Sequence, residues 1–137
     1  IDDIVQLEPG IDYRAALAEM LRADGLLIFH ASNCNHQIPA KLYEYFRAQK
    51  PVMALTDAAG DTAATLKEAG LNCIASLNDQ AEIAATFNEF LIQVRAGSAE
   101  VADVRVTEKY SRQAGAITLA RLFDEAAVCS SKINAQA

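Results

Sequence analysis

At 137 residues, with 52% hydrophobic and 22% charged side chains, the chain has the size and composition of one ordinary globular domain. A formal charge of −6, with its 12 Lys and Arg scattered, excludes the clustered basic footprint that nucleic acid or an anionic membrane surface demands. No run approaches the ~18 consecutive apolar residues of a membrane span, and the start shows no signal-peptide pattern.

In chain order, Ile4–Leu7 reads as a short apolar strand stopped by Pro9-Gly10. Asp12 caps a helix running to about Ala23, with Leu17, Met20 and Leu21 inward, and Gly25 ends it. Leu26–Phe29 is apolar without alternation, as in a strand covered on both faces. A polar loop, His30–Ile38, leads to a short helix opened by Pro39, whose missing N–H has no partner to lose in a first turn. Leu42, Tyr45 and Phe46 recur at i, i+3 and i+4 and make its apolar face, while Lys41 and Glu44 lie on another. After a turn at Gln49-Lys50 comes a buried strand, Val52–Leu55. Asp61 begins a helix that ends at Gly70, and Asn72–Ala75 makes a fourth strand. Asp79 starts a helix to about Arg95 with Ile83, Phe87, Phe90 and Leu91 inward. Ser98–Val106 is a connector, and Tyr110–Ala126 a last amphipathic helix bearing Ile117, Ala120, Leu122 and Phe123. Residues 1–127 thus form the domain, and 128–137 a frayed tail.

Strands alternating with helices predict an α/β fold with right-handed crossovers, a Rossmann-like parallel sheet of about four strands with flanking helices. Such sheets bind ligands outside the carboxyl ends of their strands. The loops His30–Ile38 and Thr56–Asp61 leave two such ends and become neighbours if consecutive strands pair. Cys34, Cys73 and Cys129 are isolated and odd in number, which fits a reducing, cytoplasmic setting rather than a disulfide framework. His30, Cys34 and His36 share a loop, but H-x3-C-x-H matches no common zinc arrangement and lacks a fourth ligand, so no metal is expected.

The segment Gln37–Leu55, QIPAKLYEYFRAQKPVMAL, carries more than this. Its pattern Pro39-x-Lys41-x-x-Glu44-Tyr45, followed by Pro51-Val52 and an apolar strand, resembles the donor-binding domain of GT-B glycosyltransferases of the family 4-like, group 1 kind. Gly60-Asp61-Thr62-Ala63 and Tyr110-Ser111-Arg112 are similar to the same family, and the resemblance spans about Val5 to Glu125. It implies a partial GT-B C-terminal domain: the early strand, its Gly-rich turn and the diphosphate-holding basic residues have no counterpart here. An N-terminal acceptor domain of the same parent chain would be the missing partner, and an exposed sheet edge invites a homodimer.

The resemblance further implies a nucleotide-diphosphate sugar as donor substrate, no other cofactor, no obligatory metal, and transfer with retention. Glu44 would accept hydrogen bonds from the donor ribose diol, for which a carboxylate is suited because both its oxygens are acceptors. A surface pairing with Lys41 is its plain alternative. The acidic residue that the family often places eight positions earlier is His36 here, with Gln37 beside it, so the sugar contacts and any catalytic carboxylate stay open. The site set is Gln37, Ile38, Ala40, Lys41, Glu44 and Thr62: backbone amides near Ala40 and Lys41 for phosphate, Lys41 as added charge or Glu44's partner, Gln37 as a hydroxyl contact or loop residue. Asp61 and Thr62 read first as an N-cap and its first turn and only second as ligand contacts, Tyr43 and Tyr45 are packing residues, and His30 is a satisfied polar residue or a contact.

The expected function is the donor half of a glycosyltransferase, inactive as an isolated piece. The alternative is a non-catalytic Rossmann-like module for interaction or regulation. A phospho-acceptor receiver would need acidic residues at a strand's carboxyl end, whereas Asp2-Asp3 precede theirs, and a dinucleotide oxidoreductase would need G-x-G-x-x-G.

Overall fold

A computed structural model describes residues 4–134, with side chains through residue 127. Asp2, Asp3 and the end of the expected tail, 135–137, lie outside the described residues. The order is α1 (Tyr13–Arg22), β1 (Leu26–Phe29), a 3-10 turn at Ser32–Cys34, α2 (Lys41–Ala48), β2 (Val52–Leu55) and α3 (Asp61–Glu68). Then follow β3 (Ile74–Ala75), α4 (Gln80–Ala96), α5 (Val104–Lys109) and α6 (Arg112–Asn134).

The sheet is parallel with strand order β1-β2-β3, Leu26 opposite Val52 and Ala54 opposite Ile74. It has three strands, not about four. The predicted strand Ile4–Leu7 is irregular and its Ile4 and Leu7 stand out in solvent, 89% and 91% exposed. Apolar residues alone do not make a strand; the ladder needs a neighbour, and none of the described residues pairs with this segment. The fourth predicted strand is real but shrinks to two residues.

Side-chain alternation along the strands sorts the core into two layers. Leu26, Ile28, Val52 and Ala54 meet Leu42 and Phe46 of α2, Leu66 and Ala69 around α3, and Ala102. On the opposite face Met53, Leu55 and Ala75 meet Phe90 of α4. Helices therefore cover both faces of β2, which explains its unbroken apolar run. Gly25 lets α4 approach: a Cβ there would sit 2.7 Å from the Phe90 ring.

Four helices depart from the predicted picture, two in their bounds and others in which residues they bury. The connector Ser98–Val106 contains the start of α5, capped by Asp103, whose side chain accepts from the Arg105 amide. Tyr110 ends α5 instead of opening the last helix; Ser111 takes the Ala114 amide at 3.0 Å and α6 begins after it, running past Ala126 to Asn134. Ile117, Leu122 and Phe123 of α6 are exposed, as are Leu21 of α1 and Phe87 of α4, although Met20 of α1 and Ile83 and Phe90 of α4 do pack inward.

Candidate functional site

The two loops leaving β1 and β2 do meet at the carboxyl edge of the sheet. The Asn35 side-chain amide donates to Asp57 Oδ2 at 2.7 Å, and the Asn35 carbonyl takes the Asp61 amide at 2.8 Å. Gly60 packs against this junction, its Cα side 3.2 Å (by a notional Cβ) from Asn35 Oδ1. The Ala59 amide, and after it Asn35, hold the Asp57 carboxyl below its ordinary range, so it stays charged.

Pairing β1 with β2 also sets His30 at the strand end, its amide bonded to the Leu55 carbonyl at 3.0 Å. Thr62, buried in the first turn of α3, places its hydroxyl 3.1 Å from His30 Nδ1 and donates to the Gln37 carbonyl, also at 3.1 Å. Gln37, Thr62 and His30 are therefore one hydrogen-bonded group. It is the Gln37 carbonyl that is used, and the side chain of this exposed residue is left over. His36, one residue before Gln37, has a 98% exposed side chain and lies 3.9 Å from Asp61.

α2 starts without a side-chain cap; Leu42 and Tyr43 turn back to the Pro39 and Ala40 carbonyls at 2.9 and 3.2 Å. The amides of Ala40 and Lys41 have no partner among the described residues, as the first turn of a helix dictates. Ile38 turns inward instead and packs on the core. The amides of Thr62 and Ala63 are similarly unpaired at the start of α3. The buried Thr56 Oγ1 and Asn35 Oδ1 are unpaired as well.

Glu44 is half-buried one turn into α2, and its partner is not Lys41. The Tyr13 hydroxyl, from α1, donates to Glu44 Oε1 at 2.9 Å. That bond, and then the carboxylate's charge, push the Tyr13 phenol above its ordinary value. Lys41 stays exposed and forms no ion pair with any described residue. Tyr43 packs, 5.0 Å from the Tyr110 ring, and Tyr45 lies against the core.

Tyr13, Asn35, Thr56 and Asp57 carry no individual role in the sequence pattern, although Asn35, Thr56 and Asp57 lie within the two expected loops. An Asp just after a strand and before Ala-Ala-Gly is a turn signal that points to Asp57. Nothing local points to Tyr13, 31 residues from its partner. Among the described residues, no group of three or more His, Cys, Asp or Glu comes together as a metal site, and no helix is long and apolar enough to cross a membrane.

A separate half-open cavity of about 560 Å³ lies at the other, amino end of the sheet, lined by Asn72, Cys73, Thr86, Glu89, Gln93 and Glu100 among others. Its chemistry does not favour an anionic ligand, because Glu89 and Glu100 repel one. The carboxyl edge has carboxylates too, Asp57, Asp61 and Glu44, but beside them it sets open amides, a histidine and a lysine unpaired among the described residues. Compared with protein-family models, with curated proteins and with solved structures, the chain matches none.

Proposed function

We propose that this chain is the donor-binding half of a glycosyltransferase, holding a nucleotide-diphosphate sugar at the carboxyl edge of its sheet. The observation that carries the reading is the junction itself: two loops and two helix starts converge where a parallel sheet takes its ligands. Charge divides the roles. Asp57 and Asp61 make the start of α3 negative, whereas α2 opens with Lys41 and unpaired amides, so phosphate oxygens go to Ala40 and Lys41. Glu44, one turn further on, takes the ribose diol, with Gln37 near the sugar. Catalysis then rests on positioning and diphosphate stabilisation, with no side-chain nucleophile required.

The test is Glu44→Gln in the full-length parent enzyme. Losing a charged acceptor should weaken donor binding by about 1–3 kcal/mol without unfolding the domain. Equal donor affinity in wild type and variant would reduce Glu44 to a partner of Tyr13 and favour the interaction-module alternative.

A further inference from the structure

We infer that His30 is a ligand-contacting residue, locked by Thr62 as the Nδ1–H tautomer so that Nε2 presents a lone pair to a hydroxyl of the bound carbohydrate. This deepens the donor-site reading and rests on it. The Thr62 hydroxyl has one proton and two close partners, Gln37 O and His30 Nδ1, each at 3.1 Å. A carbonyl only accepts, so both contacts are hydrogen bonds only when the proton goes to Gln37 O. His30 Nδ1 can then bond to Thr62 only by donating its own hydrogen. In a neutral imidazole that makes Nε2 the acceptor. Nε2 has no partner among the described residues, and His30 is only partly buried.

Position adds to this. His30 is fixed by its amide on Leu55 at the end of β1, and its ring is fixed by α3. It sits with the Asn35–Asp57 junction at the edge where the ligand is placed. An acceptor nitrogen there selects a hydroxyl donor, and phosphate oxygens, which accept, are directed away to α2.

Two measurements on the 15N-labelled chain test it. Two-bond 1H–15N correlations in mildly alkaline solution should show His30 with a protonated Nδ1 and a bare Nε2. Thr62→Val, equal in size but without the hydroxyl, should lose that preference, and Thr62→Ser should keep it. A His30 carrying its proton on Nε2 in the unaltered chain overturns the inference.

The second measurement titrates uridine diphosphate, guanosine diphosphate, UDP-glucose and GDP-mannose. His30→Phe should weaken a sugar nucleotide about tenfold more than its parent diphosphate, the effect of one hydrogen bond. His30→Gln, which keeps an acceptor, should bind within about threefold of the unaltered chain. Equal affinities for His30→Phe sink the inference alone, provided Glu44→Gln still weakens the nucleotides. No perturbation of this edge by any of the four removes both the inference and the donor-site reading.

Discussion

Glu44 shows how far one residue can be read without a fold. Its place, one turn into a helix that follows Pro39, was legible because helix periodicity separates it from Leu42 and Phe46. Its partner was not, since the Tyr13 bond depends on α1 crossing α2. Thr62 was legible as a first-turn residue, but its bond to Gln37 exists only because consecutive strands pair. A second residue-scale prediction concerns Cys73. Burial, and next the Glu100 and Glu89 carboxylates, push its thiol up to about 11. Only the thiolate reacts, so iodoacetamide should modify Cys73 far more slowly than free cysteine near pH 8. Its rate should keep rising as pH climbs from about 9 towards 11. A plateau reached by pH 9 would show that the site is not desolvated.

At the scale of elements, α2 carries the packing of one core layer. Leu42 and Phe46 are both fully buried, while Tyr45, expected on the same face, is only half-buried beside them. Leu42→Ala or Phe46→Ala should destabilise the domain by about 2–5 kcal/mol through the cavity left behind. Chemical denaturation showing a loss below half of a single kilocalorie, well under ~2 kcal/mol, would remove that face assignment. The helix ends on Gln49 in the left-handed region, φ 52°, and its side-chain amide ties Phe46 O to Ala102 O. Turn chemistry alone favours Gly there; the two bonds explain why Gln is tolerated.

α5 was missed because six residues give too little periodicity to register, and its place is set by distant partners. Lys109 and Tyr110 both bond to Glu68 of α3, the latter at 2.7 Å. Lys109 first, then Tyr110, hold the Glu68 carboxyl below its usual 4.5. With the folded value depressed, this clamp's stabilisation is present above about pH 4.5 and is lost as pH falls through the lower folded value. Protection of the α5 amides against hydrogen exchange, corrected for the intrinsic rate at each pH, should therefore fall selectively on acidification. Glu68→Gln should abolish most of that pH dependence; an unchanged profile would show that the clamp does not hold α5.

For the molecule as a whole, alternation of element types gave the α/β class and the parallel sheet, because those follow from local patterns. Strand number did not follow, since Ile4–Leu7 needed a pairing neighbour to become a strand. The exposed apolar faces of α1, α4 and α6 were equally legible as stripes but not as contacts. On the donor-half reading this chain alone folds yet transfers no sugar, because acceptor domain and diphosphate-binding turn both belong elsewhere. Sustained turnover of nucleotide sugars above a buffer blank would contradict that.

Amide shift mapping locates the bound ligand on the sheet and so decides between its two ends. The labelled chain is titrated with uridine or guanosine diphosphate, at ligand concentrations reaching millimolar because only part of the donor contacts is expected here. Shifts should cluster in His30–Glu44 and Thr56–Thr62, the two joined loops and their helix starts. Shifts gathered instead on α6, or around Cys73, Glu89 and Glu100 in the cavity at the opposite end of the sheet, would contradict the account.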